Sequence, residues 1–170
     1  VTIVSTQNNL GTVLVDLGRY DEALPTFLHV LELRKRQDNK IGIISAYENL
    51  GLTHLRIGNL EKAAAYYFQG ATMATDLHAY HQEAQCFNRL ATVLYRQGKL
   101  SEASKYAQQA YSIARKNSLK RIELETLLTL ADIMHKQGND TKSRALLVQH
   151  IRLKDSVFSQ SLSDKAAEYL

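Results

Sequence analysis

The segment "LGRYDEA" at residues 17–23 returns, with chemically similar residues, as "IGNLEKA" at 57–63, "QGKLSEA" at 97–103 and "QGNDTKS" at 137–143. The glycines of the four segments are each forty residues apart: Gly18, Gly58, Gly98 and Gly138. A fixed period of this size is typical of repeat proteins, in which each repeat is one small unit that packs on its neighbours. The sequence therefore predicts a repeat array.

Alignment of the chain on this period places similar residues in columns. Before the glycine lie a leucine column (Leu10, Leu50, Leu90, Leu130), a small column (Gly11, Gly51, Ala91, Ala131) and an apolar column interrupted by a histidine (Leu14, His54, Leu94, Met134). After it lie a second small column (Ala23, Ala63, Ala103, Ser143) and two further columns (Phe27, Tyr67, Ala107, Leu147; Leu31, Ala71, Tyr111, Ile151). Offsets of three and four are the period of an α-helix. Each repeat is therefore predicted to be two helices joined by a short turn.

The columns have separate physical explanations. A small residue beside Leu10 lets the second helix approach the first closely. The turn glycine ends the first helix in a left-handed conformation that is costly for residues with a side chain. The segments "YDEA" and "LSEA" then place an N-cap or a first-turn carboxylate at the start of the second helix. Pro25 is predicted to lie near this start, where a missing amide proton costs little.

Composition is that of one continuous folded unit. The chain has 170 residues, 45% of them hydrophobic, with one proline and no low-complexity linker. It contains no apolar run long enough to cross a bilayer and no signal-peptide pattern at its start. It begins in the middle of a helical pattern without a methionine, so we expect a fragment of a larger protein. The compartment is left open, either cytoplasmic or, for the sensor of a membrane-anchored protein, periplasmic.

Catalytic and metal sites are not predicted. The histidines fall in different columns, and His78 and His81 have no third ligand nearby. The single cysteine, Cys86, is expected to be semi-buried and has no histidine partner at a defined spacing. No phosphate loop or serine elbow is present. We therefore expect no enzyme activity, no metal and no cofactor.

On these columns the chain resembles the tetratricopeptide repeat family. The leucine-small pair, the turn glycine, the small residue after it and the following aromatic match the family pattern in the first three repeats. The period of forty exceeds the usual thirty-four, as in longer repeats of bacterial signalling proteins such as sensor histidine kinases and diguanylate cyclases. The resemblance implies an all-α fold: a right-handed α-α superhelix of about four helix hairpins plus a C-terminal capping helix.

The resemblance also sets expected boundaries. Four repeats are placed at about residues 4–40, 44–80, 84–120 and 124–158, within a unit at 1–158. Residues 159–170 are expected to form a cap or connector helix, with Ser163 as its N-cap. Gln7 stands where the other repeats have Tyr47, Phe87 and Leu127, which suggests that this face is exposed or covered by an upstream repeat. Asp140 and Ser143 depart from the pattern as expected of a terminal unit that faces water.

A superhelix of this kind exposes a concave groove lined by the first helix of each repeat, suited to an extended or helical peptide. The residues expected to contact a partner there are polar or basic and lie between the core columns: Asn8, Asn9, Asn49, Arg56, Asn88, Arg89, Arg96 and Lys136. Asparagine can donate to and accept from a peptide backbone, and arginine can bind a carboxylate with two parallel bonds. Helix-surface solvation is the competing explanation for these residues. The family's carboxylate clamp is matched only at Asn49 and Arg89, without its lysines.

The function predicted is a non-catalytic protein- or peptide-binding scaffold or sensory module of a larger bacterial signalling protein. The net charge of +4 favours an acidic partner. Nucleic acid is disfavoured, because 17 acidic residues interrupt the basic ones. Two alternatives remain open: self-association through the first repeat or the tail, and a basic nucleic-acid-binding repeat.

Overall fold

A computed structural model describes the backbone of residues 3–167 and the side chains of residues 3–159. Over this range the chain forms eight α-helices and no strand. The helices are α1 (Ile3–Asp16), α2 (Tyr20–Arg36), α3 (Lys40–Ile57), α4 (Leu60–Asp76), α5 (Tyr80–Arg96), α6 (Leu100–Lys116), α7 (Lys120–Lys136) and α8 (Asp140–Ala167). Each predicted repeat is thus one pair of helices, which confirms the all-α repeat fold.

The helices stack in chain order, and each one packs on the next. The first helices of successive repeats, α1, α3, α5 and α7, also contact one another along the array. Among the described residues, the second helices of successive repeats make no such contacts. Because the first helices lie closer together than the second, they line the inner, concave side of the stack. We call this side the inner surface.

The turn inside each repeat has the predicted backbone. Gly18, Gly58, Gly98 and Gly138 have φ angles of +73°, +90°, +77° and +77°. The turns between repeats also use the left-handed region, but with side chains present: Asp38, His78 and Ser118 have φ angles of +48°, +53° and +56°. These three residues are again forty apart. The repeat therefore contains two left-handed positions, of which only one is marked by glycine.

The starts of the second helices partly differ from the sequence prediction. Asn59 caps α4, since its side-chain oxygen accepts a hydrogen bond from the Lys62 backbone N–H at 3.1 Å. Arg19 at the start of α2 makes no cap bond and instead pairs with the Glu22 carboxylate at 2.7 Å. The prediction that Pro25 lies near this start is wrong, because Pro25 is the sixth residue of α2. The helix continues through it even though the proline cannot donate to the carbonyl four residues back.

The small columns bring the two helices of each repeat into contact. A Cβ added to Gly11 would lie 2.6 Å from the Phe27 ring, and one added to Gly51 would lie 2.9 Å from the Tyr67 ring. Both rings are fully buried. The absence of a side chain on the first helix therefore makes room for an aromatic ring on the second, as the columns predicted.

At the two ends of the stack, residues that belong to core columns are exposed. The side chain of Leu10 is 52% exposed, whereas that of Leu50 is 0% exposed. Leu147 and Ile151, predicted in core columns, are 40% and 56% exposed. Gln7, expected on an open face, is half-buried, and Ser143, expected to mark a water-facing unit, is buried. Within the described residues no further repeat packs on the outer side of α1 or of α8, so residues that face those sides are exposed.

The last helix is longer than its counterparts. α2, α4 and α6 end at Arg36, Asp76 and Lys116, forty residues apart, and the same position in α8 would be Ser156. α8 continues to Ala167 instead. The expectation that Ser163 begins a separate short helix is wrong, because Ser163 lies inside α8. Residues 168–170 lie outside the described range.

Over the described range, no helix combines the length and the hydropathy needed to cross a bilayer.

Candidate functional site

Polar residues of α1, α3 and α5 meet on the inner surface. Asn8, Glu48 and Asn88 occupy one repeat position, and Asn9, Asn49 and Arg89 occupy the next. We call the set Asn8, Glu48, Asn49, Asn88 and Arg89 the central polar patch. Its members come from three repeats, so it exists only when the repeats are stacked.

A hydrogen bond between side chains joins the first two repeats in this patch. The Asn49 side-chain amide donates to the Asn8 side-chain oxygen at 2.9 Å. The two residues are 41 positions apart in the sequence and both are partly buried. The bond lies where α1 meets α3, and it fixes the orientation of both amides on the inner surface.

Glu48 is the most unusual residue of the patch, because its Oε1 atom is buried and has no hydrogen-bond partner. Burial raises the pKa of the Glu48 carboxyl, and the positive charge of Arg89 and the Cys86 thiol only partly oppose this effect. Desolvation of a carboxylate favours its neutral form. One oxygen of the Glu48 carboxyl is therefore buried and unpaired where α3 packs against its neighbours.

The residues beneath Glu48 are fully buried. The Tyr67 hydroxyl lacks a hydrogen-bond partner, and burial raises the pKa of Tyr67 to about 12, against the opposing charge of Arg89. Cys86, expected to be semi-buried, is 0% exposed. Burial and the nearby Glu48 raise the pKa of its thiol. A protonated, inaccessible thiol is a poor nucleophile, so Cys86 serves packing.

Two further side-chain oxygens of the first helices are buried without a hydrogen-bond partner. Asn88 is 7% exposed, and its Oδ1 atom has no hydrogen-bond partner. The Oε1 atom of Gln7 on α1 is also buried without one. Buried polar atoms are normally paired, because an unpaired one costs about 1–3 kcal/mol. The first helices thus contain three polar side chains, Gln7, Glu48 and Asn88, each with a buried oxygen that has no partner.

The predicted basic residues at the helix ends occupy different surroundings. Arg56, Arg96 and Lys136 lie in the last turns of α3, α5 and α7 and are exposed. Over the described range none of them forms a salt bridge. Their position also suits the negative end of the helix dipole. They form a row of solvated cations beside the inner surface.

Sequence reasoning found part of this arrangement. It named four of the five patch residues, and the structure brings Asn8 and Asn49 into contact and places Arg89 near Glu48. Asn9, also named, is exposed and makes no side-chain bond within the described range. Glu48 was not named as a site residue. Its position in the same column as Asn8 and Asn88 was the signal that could have identified it.

Other chemistry has little support among the described residues. No group of three or more histidine, cysteine, aspartate or glutamate side chains is arranged to hold a metal ion there. His135 pairs with Asp140 at 2.7 Å, but both side chains are exposed. His54 is buried in its column and stacks on Tyr66 with ring centroids 5.6 Å apart.

Comparison with protein families matches the chain to the family described as the tetratricopeptide repeat, over residues 2–76 and 82–156. Comparison with curated protein sequences finds no significant match. The two matched segments together span most of the chain and contain all four turn glycines.

Solved structures of similar fold have low sequence identity. BtubC from P. vanneervenii is 16% identical with a TM-score of 0.80, over 91% of this chain and 64% of its own. Apo RapI is 14% identical with a TM-score of 0.84, over 95% of this chain and 59% of its own. The Rap conjugation regulator of plasmid pLS20, in complex with the Phr* peptide, is 17% identical with a TM-score of 0.77, over 91% and 42%. The chain thus spans less than two thirds of each of these proteins.

Proposed function

Because this chain belongs to the tetratricopeptide repeat family, we propose that it is a non-catalytic scaffold that binds a protein or peptide segment along its inner surface. The observation that carries the proposal is the central polar patch, in which polar side chains from three successive first helices come together.

The chemistry of the patch suits a peptide backbone. The partly buried amides of Asn8 and Asn49 can donate to and accept from backbone groups, and the guanidinium of Arg89 matches a carbonyl or carboxylate oxygen. Asn8 and Asn49 hold their amides in fixed orientation by their mutual bond, so little side-chain entropy is lost on binding. An extended segment that crosses α1, α3 and α5 would meet these groups in turn.

The exposed row of Arg56, Arg96 and Lys136 supports a preference for acidic side chains in the ligand. Unpaired surface cations raise the local concentration of anions and speed their association, and this effect weakens with salt. Affinity is expected to come mainly from the partly buried patch, with the row of cations adding to the association rate.

The Rap regulator of pLS20, similar in fold, is described in complex with the Phr* peptide, which supports peptide binding as the function of this array. That protein is also much longer than this chain. We accordingly propose that the array acts as the binding or sensory part of a larger bacterial signalling protein.

The test begins with selection of peptides from a displayed random library on the immobilised chain. Selected peptides are then titrated by calorimetry into the wild type and an Asn49→Ala, Arg89→Ala variant. The matched control is Gln109→Ala, Arg115→Ala, which removes an amide and a guanidinium from exposed positions of α6. We expect the patch variant to lose at least about tenfold in affinity, or 1.4 kcal/mol, and the control to bind as the wild type does.

Circular dichroism establishes that each variant is folded. A folded patch variant that binds every selected peptide as tightly as the wild type would overturn the proposed site. Binding that falls steeply with salt and shows no peptide selectivity would instead favour a polyanion such as nucleic acid.

A further inference from the structure

A cavity of about 420 Å³ lies between the second helices α2 and α4, with α3 contributing to its wall. Ligand pockets in proteins have volumes of about 300–1,000 Å³. Lys35 of α2, Tyr47 of α3, and Lys62, Tyr66 and Gln69 of α4 line the cavity, together with two apolar residues. None of these residues belongs to the central polar patch. We call this space, inside the array, the α2–α4 cavity.

Aromatic rings form one wall of the α2–α4 cavity. The ring centroids of Tyr47 and Tyr66 are 6.1 Å apart, and their planes are tilted by 33°. His54 stacks on Tyr66, with centroids 5.6 Å apart and planes 7° from parallel. His54 is buried and supports Tyr66 from the core, whereas both tyrosines are only partly buried. The cavity therefore has a supported aromatic wall on which another planar ring can stack.

Two ammonium groups accompany this wall. The Nζ atom of Lys35 lies 5.9 Å from the centroid of the Tyr47 ring. Burial, and then the charge of Lys62, lower the pKa of His54, which places Lys62 near that ring. Neither lysine forms a salt bridge with a described residue, and the described residues that line the cavity include no acidic one. The α2–α4 cavity thus carries positive charge without a compensating carboxylate.

The equivalent positions between α4 and α6 have a different chemistry. Forty residues on, the positions of the two lysines hold Thr75 and Glu102. The positions of the two tyrosines hold Phe87 and Tyr106, whose rings stack on each other with centroids 5.6 Å apart and planes at 17°. Since the same helix packing accepts a neutral and an acidic residue there, stacking of the repeats does not require the two lysines.

The equivalent positions between α6 and α8 differ in the opposite way. Arg115 and Lys142 keep the two positive charges, but Leu127 and Leu146 replace the two rings. Of the three sets of equivalent positions, the one at the α2–α4 cavity alone combines two cations with two tyrosines. This combination suits a ligand that is both aromatic and anionic.

We propose that the α2–α4 cavity binds a small molecule in which a planar ring system is joined to a phosphate group, of the class of nucleoside monophosphates. The ring system stacks on Tyr47 and Tyr66. The phosphate, with a charge of about −1.5 to −2 at neutral pH, is attracted by Lys35 and Lys62, and the Gln69 amide can donate to or accept from the edge of the base. Binding here uses none of the central polar patch, so it is independent of peptide binding on the inner surface.

The test is a titration of AMP into the isotope-labelled chain, followed by NMR. Adenosine and inorganic phosphate are separate probes, because each carries only half of the proposed recognition. We expect saturable shifts of the Tyr47, Tyr66 and Gln69 resonances with AMP. Adenosine and inorganic phosphate are each expected to bind at least about tenfold more weakly than AMP.

Two double variants remove the two parts of the cavity separately. Lys35→Thr, Lys62→Glu introduces the residues found between α4 and α6, and Tyr47→Leu, Tyr66→Leu introduces those found between α6 and α8. Each variant therefore uses residues that the array already accommodates at these positions. We expect each of them to bind AMP at least about tenfold more weakly than the wild type does.

The matched control for charge is Lys40→Thr, Lys99→Glu. It makes the same change in net charge as the lysine variant, at two exposed positions that do not line the cavity. The control is expected to bind AMP as the wild type does. Circular dichroism establishes that each variant is folded.

Four outcomes would overturn the proposal. AMP could cause no saturable shift in the wild type. The control could lose as much affinity as the lysine variant, which would indicate attraction to net charge alone. Inorganic phosphate could bind as tightly as AMP, which would indicate an anion site without stacking. Phenyl phosphate, used as a further probe, could bind as tightly as AMP, which would favour a phosphorylated tyrosine of a partner protein over a nucleotide.

Discussion

The aromatic ring of Tyr67 packs against the backbone of Gly51, so closely that a Cβ on Gly51 would lie 2.9 Å from Tyr67 Cε1 and 3.0 Å from Cζ. The same column in the third repeat pairs Ala91 with Ala107. In the fourth repeat, Ala131 pairs with Leu147. Each repeat therefore has either a glycine opposite an aromatic ring or an alanine opposite a smaller side chain.

Gly51→Ala is expected to destabilise the fold. Alanine gains about 1 kcal/mol in helix propensity, but overpacking of a full core costs about 1–3 kcal/mol, and the fully buried Tyr67 ring has no room to move. The free energy of unfolding in urea should fall. In a Tyr67→Ala background, which reproduces the pairing of the third repeat, the same substitution should no longer cost stability. An equal loss in both backgrounds would contradict the steric explanation.

Ser118→Gly is expected to stabilise the fold. Ser118 adopts a φ of +56° in the turn between the third and fourth repeats, a conformation that costs a residue with a side chain about 1–2 kcal/mol. Glycine removes this strain but loses more conformational entropy on folding, so a net gain of a few tenths to about 1 kcal/mol is expected. Gly98→Ala is the converse test, because Gly98 has a φ of +77° and open space around it. The unfolding midpoint should rise in the first variant and fall in the second.

His54 is expected to make stability depend on pH. Burial, and then the charge of Lys62, lower its pKa below the ordinary value of 6.5, so the folded state favours the neutral ring. As pH falls below 6.5 the unfolded chain binds a proton that the folded chain resists, and stability decreases. His54→Leu restores the residue type of Leu14 and Leu94 in this column and removes a buried Nδ1 without a partner. Unfolding free energies at pH 7.5 and 5.5 should differ less in the variant; an unchanged difference would exclude His54 as the cause.

Glu48→Gln is expected to stabilise the protein at neutral pH. Burial raises the pKa of Glu48 above its ordinary value of 4.5, so the folded carboxyl retains its proton where the unfolded one releases it. The resulting cost is absent below pH 4.5 and develops as pH rises through the folded pKa. The gain in unfolding free energy from Glu48→Gln should therefore be present at pH 7 and vanish near pH 4. A variant that is less stable than the wild type at pH 7 would show that attraction to Arg89 outweighs desolvation.

The repeat, the two helices of each unit and the turn glycines could all be predicted from the sequence. These features are local: a period of three and four residues reports one face of a helix, and a left-handed turn selects glycine wherever strain is not tolerated. The second left-handed position was not found, because Asp38, His78 and Ser118 share no residue type. Pro25 was expected to be compatible with α2, as it is, but it lies deeper in the helix than the sequence indicated.

Which members of a column are buried could not be predicted from the sequence, because burial depends on how the repeats stack. Leu10 and Leu50 are identical in sequence pattern, yet one is exposed and the other is not, because Leu50 packs against α2, a helix of another repeat. The same holds for Glu48, whose unpaired oxygen and raised pKa follow from α4 and α5 packing around it. Local periodicity specifies the face of a helix, whereas the stacking of repeats determines what that face meets.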